Sequence, residues 1–212
     1  MISYARLTVI LNGVVLLVCL FFMKAVSAGE TNLCEYHHAL KHGFDMTAYR
    51  HCETAIKSCP SAGLFLDKKC VSAQLSKQFC QQLSSLAEIL KVDAEMILIK
   101  STDHYAMISV HYPADGALQY YLLSPKGCLL NTSLDPSTVD NTFKHHYAKH
   151  DLYIEANKPP SYEVLPDGQK RFIVNIEGRD SCRACAVVVT AKLGFNFNTS
   201  DELDKVSLIS YR

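Results

Sequence analysis

The sequence predicts an α+β fold, in which disulfide-linked amino-terminal helices pack on a mainly antiparallel sheet that carries one inserted helix. Three observations lead there. Apolar residues recur every three or four positions up to about Val92 and every second position beyond it. Five of the eight cysteines that follow residue 28 lie in the helical part. The longest alternating run, Cys185 to Phe197, has apolar residues at every odd position (Cys185, Val187, Val189, Ala191, Leu193, Phe195, Phe197) and Thr190, Lys192 and Asn196 among the even ones. Period two over that length means a half-buried strand on which shorter neighbours can pair.

The chain has 212 residues and opens like an exported protein. A basic region ends at Arg6, an apolar stretch runs from Leu7 to Met23, and the small residues Val26 and Ala28 precede Gly29. This predicts a removable signal peptide over 1–28. The apolar core, interrupted by Asn12 and Gly13, is short for a spanning helix, and Val18 stands where a lipidated Cys19 would need a small residue before it. The remaining 184 residues carry 19 basic and 21 acidic side chains. They offer no basic field for nucleic acid, and no later run is long enough to span a membrane, so no membrane association is expected after cleavage. The expected location is periplasmic or extracellular. Oxidising surroundings make Cys34, Cys52, Cys59, Cys70, Cys80, Cys128, Cys182 and Cys185 disulfide candidates, with the connectivity left open.

Residues 29–92 read as a cysteine-rich helical segment. Helices are expected near 32–42 and 46–58, broken at Gly43, then a loop Cys59-Pro-Ser-Ala-Gly63. Asp67 caps a helix running to about Leu90, along which Val71, Leu75, Phe79, Leu83, Leu86 and Leu90 form one apolar stripe. Residues 93–212 read as an antiparallel sheet. Strands are expected at 96–100, 105–112 and 118–123, with Pro113-Ala-Asp-Gly116 as the turn of the first hairpin and Ser124-Pro-Lys-Gly127 turning the chain into a short strand at 128–131. Asp135-Pro136 opens the inserted helix, 135–149, with Val139, Phe143 and Tyr147 on one side. Lys158-Pro-Pro160 ends regular structure. A second hairpin follows, 161–165 and 170–177 around Pro166-Asp-Gly168, then the strand that starts at Cys182, a capped turn at 199–204 and a last strand at 206–210. One apolar stripe on the long helix and one apolar sheet face suit a single body rather than two domains.

Cys182-Arg-Ala-Cys185 has the spacing of a redox disulfide. In thioredoxin-like proteins that spacing opens a helix, whereas here it leads into a strand, so structural pairing is the first reading. His146 and His150 stand four apart on the inserted helix, and His38 and His42 repeat the interval. Either pair could share a metal, but Tyr147 occupies the place of a zinc-protease glutamate. No cysteine is obviously spare for a nucleophile, and no Gly-x-Ser-x-Gly elbow occurs. Asn131-Thr-Ser133 and Asn198-Thr-Ser200 match glycosylation acceptors. Tyr105, Tyr112, Tyr120 and Tyr121 are concentrated in the first hairpin, where they could form an aromatic binding face.

The Cys-x-Ala-Cys clip followed by an alternating strand resembles uncharacterised signal-peptide-bearing bacterial secreted or periplasmic proteins. That likeness implies export from a Gram-negative cell and brings no activity. The function expected is therefore an exported, disulfide-stabilised binding or interaction protein, such as an inhibitor, a host-interaction factor or an accessory subunit. It would have no catalytic residue and no cofactor, and its partner would be an unknown protein or small ligand. The alternative is an exported enzyme, either a thiol oxidoreductase using Cys182 and Cys185 or a metal-dependent hydrolase using His146 and His150.

Overall fold

The computed structural model describes residues 34, 40, 43–62, 65–112, 117–147, 149–155 and 158–212. The signal peptide, the helix near 32–42, the His38/His42 pair and the Pro113-to-Gly116 turn lie outside them. Helix α1, Met46–Lys57, is capped by Asp45, whose carboxylate accepts from the backbone N–H groups of Thr47 and Ala48, and its three- and four-residue spacing buries Tyr49, Cys52 and Ile56. A two-stranded ribbon follows, β1 (Ser61–Ala62) and β2 (Phe65–Leu66).

The single helix expected from Asp67 to Leu90 is two. Helix α2 covers Lys68–Leu75 with Asp67 as its cap, accepting from Cys70 N–H. The chain then leaves helical geometry at Lys77 (ψ 146°), makes a 3₁₀ turn at Gln78–Cys80 and restarts as α3, Gln81–Leu90. Two cross-links account for the break. Cys59–Cys70 and Cys52–Cys80 tie both halves to α1 and its exit, and one straight helix would carry Cys80 away from Cys52. The apolar stripe thus wraps α1 instead of running along one line.

The expected single sheet is also two. Strands β3 (Ile97–Thr102), β4 (Tyr105–Tyr112), β5 (Ala117–Leu123) and β6 (Leu129–Asn131) form a four-stranded antiparallel meander. Asp103 and His104, both at positive φ (46° and 68°), make the two-residue turn between β3 and β4. The second sheet holds β7 (Asp151–Ile154), β8 (Ser161–Val164), β9 (Lys170–Arg179), β10 (Val187–Phe197) and β11 (Leu203–Tyr211), in the order β11-β10-β9-β7. Strands β7 and β8 share one edge of β9, β8 pairing with its first half and β7 with its second.

The alternating residues explain the layering. Ile97, Ile99, Ala106, Ile108, Val110, Tyr121, Leu123 and Leu129 form one core with Tyr49, Cys52, Ile56, Val71, Leu83 and Leu86 of the helices. Tyr105, Tyr120, Leu122 and Leu130, on the opposite face of the same meander, are equally buried. There the Tyr105 ring meets Phe172 and Phe197 of the second sheet at 5.1 and 4.9 Å. The order is helices, four-stranded sheet, five-stranded sheet, and residues 34–212 form one compact unit.

The inserted helix expected over 135–149 is shorter and starts twice. Asp135 caps only a 3₁₀ turn, Pro136–Thr138, and Asp140 then caps α4, Asn141–Tyr147, through Phe143 N–H. The long strand begins at Val187, not at Cys182, because residues 180–186 are the loop of the β9–β10 hairpin. Among the described residues, no helix is long and apolar enough to cross a membrane.

Gly178 of β9 marks the closest approach in this sheet: a Cβ there would lie 2.5 Å from Val189 Cγ1 and 3.5 Å from Leu152 Cδ2. Gly178→Ala should therefore destabilise the fold by about 1–3 kcal/mol. Denaturant unfolding checks this, and an unchanged midpoint would show that the β7–β9–β10 packing is looser than described.

Candidate functional site

Chemistry-bearing side chains gather at the two ends of the five-stranded sheet. At one end stands the tip of the β9–β10 hairpin. The strands stay paired as far as Arg179 and Val187, Asp180 N–H donates to Ala186 O, and Cys185 N–H donates to Cys182 O at 3.0 Å to close a tight turn. Ser181 enters that turn at φ 68°. Arg179 fastens its base: Nη1 donates to Cys185 O at 2.9 Å and Nε to Glu177 Oε2 at 3.0 Å. Here Cys182 and Cys185 are joined, with Cys182 exposed and Cys185 half-buried.

The other three bridges differ in position and in work. Cys34–Cys128, Cys52–Cys80 and Cys59–Cys70 close sequence separations of 94, 28 and 11 and each contributes at least one core sulfur. Loop entropy gives such rings roughly 3–5 kcal/mol each. The Cys182–Cys185 ring, with a separation of 3, gets roughly 2 kcal/mol on the same basis, before allowing for strand pairing that already closes the hairpin. It is the bridge the fold needs least and the one most open to solvent.

Arg183, inside that ring, links the tip to a cleft. Its guanidinium carbon lies 6.0 Å from the ring centre of Tyr153. The cleft, about 250 Å³, is walled by Tyr112, Leu118 and Gln119 of β4 and β5, Leu134 and Asp135 beyond β6, Leu152 to Ile154 of β7, Ile176 of β9 and Arg183. Apolar walls with a few polar groups at the rim suit a small ligand or one large side chain. Larger depressions exist: about 520 Å³ beside α3, where Leu75, Val92 and Met96 mix with Glu88, Lys91 and Asp93, about 470 Å³ by the β3–β4 turn, and about 420 Å³ on the outer sheet face among Lys158, Asn175, Lys192 and Arg212. The cleft differs from them in lying beside the exposed disulfide.

The opposite end of the sheet carries an ionic cluster drawn from five places in the chain. Lys170 Nζ donates to Asp201 Oδ1 at 2.5 Å and lies 3.7 Å from Asp103 Oδ2. Tyr105 donates to the same Asp201 oxygen at 2.8 Å, and Tyr162 donates to Asp103 Oδ2 at 2.5 Å. Burial raises the Tyr105 phenol, and its bond to Asp201 raises it further. Burial and then Asp103 push Tyr162 up to about 12. The bond to Asp201 holds Lys170 above its ordinary value against the opposing effect of burial. For Asp201 burial works upward, but Lys170 and Tyr105 outweigh it and the carboxyl ends below its usual range. These bonds tie the β3–β4 turn, β4, β8, β9 and the β10–β11 turn together. The cluster is a clamp between sheets, with every charge facing an opposite one.

The structure separates the residues singled out from sequence. All eight cysteines after residue 28 are paired, so none is a free nucleophile or a thiolate ligand. His146 and His150 lie on either side of Tyr147, each ring 6.1 Å from it, and Tyr147 in turn packs on Phe143 and Tyr211. Among the described residues, no three His, Cys, Asp or Glu side chains converge to hold a metal ion. The aromatic face expected on the first hairpin is not a surface: Tyr105, Tyr120 and Tyr121 are buried between layers and only Tyr112 reaches the cleft. Asn131 and Asn198 turn back on their own loops, accepting from Ser133 N–H and from Ser200 and Glu202 N–H. No known protein family, curated protein or solved structure matches the chain.

The clamp has a pH signature. A carboxyl lowered in the folded state stabilises the fold above its unfolded value near 3.8, and that contribution is lost as pH falls through the folded value. Lys170, raised, contributes below its ordinary 10.5 and loses the contribution as pH rises through the higher folded value, and Tyr162 adds a loss that begins near pH 10. Stability should be flat across neutral pH and fall on both sides. Asp201→Asn, which keeps a residue type tolerant of the local φ of 62°, should cost about 1–2 kcal/mol at pH 7 and flatten the acid limb. Urea unfolding at pH 3, 7 and 11 decides this, and an unchanged acid limb would remove Asp201 from the clamp.

Proposed function

We propose that this chain is an exported, disulfide-stabilised binding protein whose recognition site is the cleft between β5, β7 and β9. The observation that carries the reading is the cleft itself, with its mainly apolar walls, the Arg183 cation and the Gln119 amide, at the junction of the two sheets. A rigid scaffold on both sides pre-forms the site, which lowers the ordering cost of association. Its volume suits one large side chain of a partner protein or a small amphipathic molecule. Four disulfides are compatible with folding in oxidising surroundings, and the amino-terminal sequence supports export. The hydrolase alternative has less support: among the described residues no three His, Cys, Asp or Glu side chains converge, and the His146 and His150 rings each lie 6.1 Å from Tyr147.

Two measurements test this reading. Alkylation of the exported protein under denaturing conditions should add nothing before reduction and should label the eight cysteines after residue 28 following it; adducts before reduction would reopen the thiol readings. A photoreactive phenylalanine at Tyr153, expressed in the native host, should give a discrete crosslinked adduct. The same group at Lys57, an exposed position on α1, should give none. Equal yields at both positions would reject the cleft as the recognition site.

A further inference from the structure

We propose that the Cys182–Cys185 disulfide is a thiol–disulfide exchange site, which accepts a cysteine thiol from a partner protein seated in the neighbouring cleft. The inference rests on the cleft as binding site and adds the chemistry that would take place beside it.

Three features of the hairpin tip carry it. Cys182 is exposed, whereas Cys52 and Cys80 are wholly buried and Cys34 and Cys59 nearly so, so an incoming thiolate reaches this bridge before the others. The ring is small and the hairpin beneath it is closed by strand pairing from Lys170 to Arg179, so opening the bond leaves the register in place. Arg183 stands between the two cysteines in sequence and lines the cleft, so a segment held against Tyr153 is within a few residues of the sulfurs. Val187 and Val188, 44% and 40% exposed, continue the apolar surface from the tip and offer a flank for the same segment.

The step is a simple displacement. The partner's thiol gives its proton to solvent, and its thiolate attacks Sγ of Cys182, the more exposed residue of the pair. A new bond forms between that sulfur and the partner, the Cys182–Cys185 bond breaks, and its electron pair leaves on Sγ of Cys185 as thiolate. No oxidant or reductant is consumed. Return of the Cys185 thiolate onto Cys182 releases the partner, which makes the capture reversible. The location at a strand-to-strand turn sets this site apart from a helix-borne dithiol. It has no helix N-terminus to hold a thiolate, which suits capture better than rapid turnover.

The test uses the full exported protein with its four disulfides and reduced glutathione as the probe. After timed exposure, acid quenching and alkylation, peptide mapping should show Cys182 and Cys185 opening at least tenfold faster than the other six cysteines. Circular dichroism and the unfolding midpoint should stay as they were. Opening no faster than the other bridges, or only together with unfolding, would overturn the proposal. The position of the trapped adduct shows which sulfur is attacked: the glutathione mixed disulfide caught by the acid quench should map to Cys182 at least tenfold more than to Cys185, and equal occupancy would overturn the assignment. Exchange without crosslinking at Tyr153 would remove the cleft and leave a bare exchange site; crosslinking without exchange would remove the exchange and leave the cleft.

Discussion

Everything in this chain depends on a four-stranded sheet buried on its helix-facing side and, on the other side, along β5, β6 and the Tyr105 end of β4, while Leu98, Lys100 and His111 meet solvent. Ile108 and Val110 point to the helices, while Tyr105 and Leu122 point to the second sheet, and all four are buried. A strand buried on both faces needs an apolar residue at almost every position, and Tyr120 to Leu123 of β5 and the first two residues of β4 supply that density. It also needs its edge closed, because unpaired backbone groups under a helical layer have no water to bond. At β3 the closure is a side chain: Ile99 N–H donates to the hydroxyl of Tyr49 on α1 at 3.1 Å. Burial raises the Tyr49 phenol, so the ring stays neutral and its oxygen remains an acceptor across the ordinary pH range.

The cross-links follow from the same demand. Among the described residues the helical layer is three short pieces, none of which could hold its fold alone, and helices of that length are marginal without tertiary support. Cys52–Cys80 and Cys59–Cys70 fasten those pieces to each other, and Cys34–Cys128 fastens Cys34 to the start of β6. The second sheet has no such link to the first. It is held by aromatic contact around Tyr105, Phe172 and Phe197 and by the Lys170 clamp at the same end. The other end, beyond Ile176, is left less filled, and that is where the cleft opens. Site and scaffold are thus two ends of one packing problem.

The extent to which this could be read in advance follows residue by residue. Period two in β4, β5, β9 and β10 and the caps at Asp45 and Asp67 are local signals, and the α+β class and most strand positions were legible from them. The number of sheets was not, because alternation says that a strand has two faces and not what covers each. Tyr105 and Tyr120 looked like a surface for that reason. The break at Lys77 was hidden by an unbroken apolar period, and only the pairing of Cys80 with Cys52 demands it. Asn196, at an outward position in β10, is fully buried because Arg171, Ser207 and backbone carbonyls satisfy it, a contact set spread over three strands. The clamp was invisible for the same reason: Asp103, Tyr105, Tyr162, Lys170 and Asp201 share no motif and meet only through topology. Of the site, the cysteine spacing was legible, but the cleft beside it was not.

That difference bears on why the hairpin tip can hold chemistry at all. A disulfide within a core cannot open without exposing apolar surface, so its redox state and the fold are the same equilibrium. At the β9–β10 tip they come apart. The register is set further down, where Phe172 faces Phe195, Val174 faces Leu193 and Ile176 faces Ala191, and where Val189 fills the space above Gly178. Arg179 closes this region with its bonds to Glu177 and to the Cys185 carbonyl, none of which involves sulfur. Above that point the chain has only a turn and two exposed valines to lose. A bond placed there can be made and broken at little cost to stability, and Arg183, between the two cysteines, lies 6.0 Å from the Tyr153 ring. The physical separation of the staple from the core is what converts one of four bridges from a structural element into a candidate reactive one.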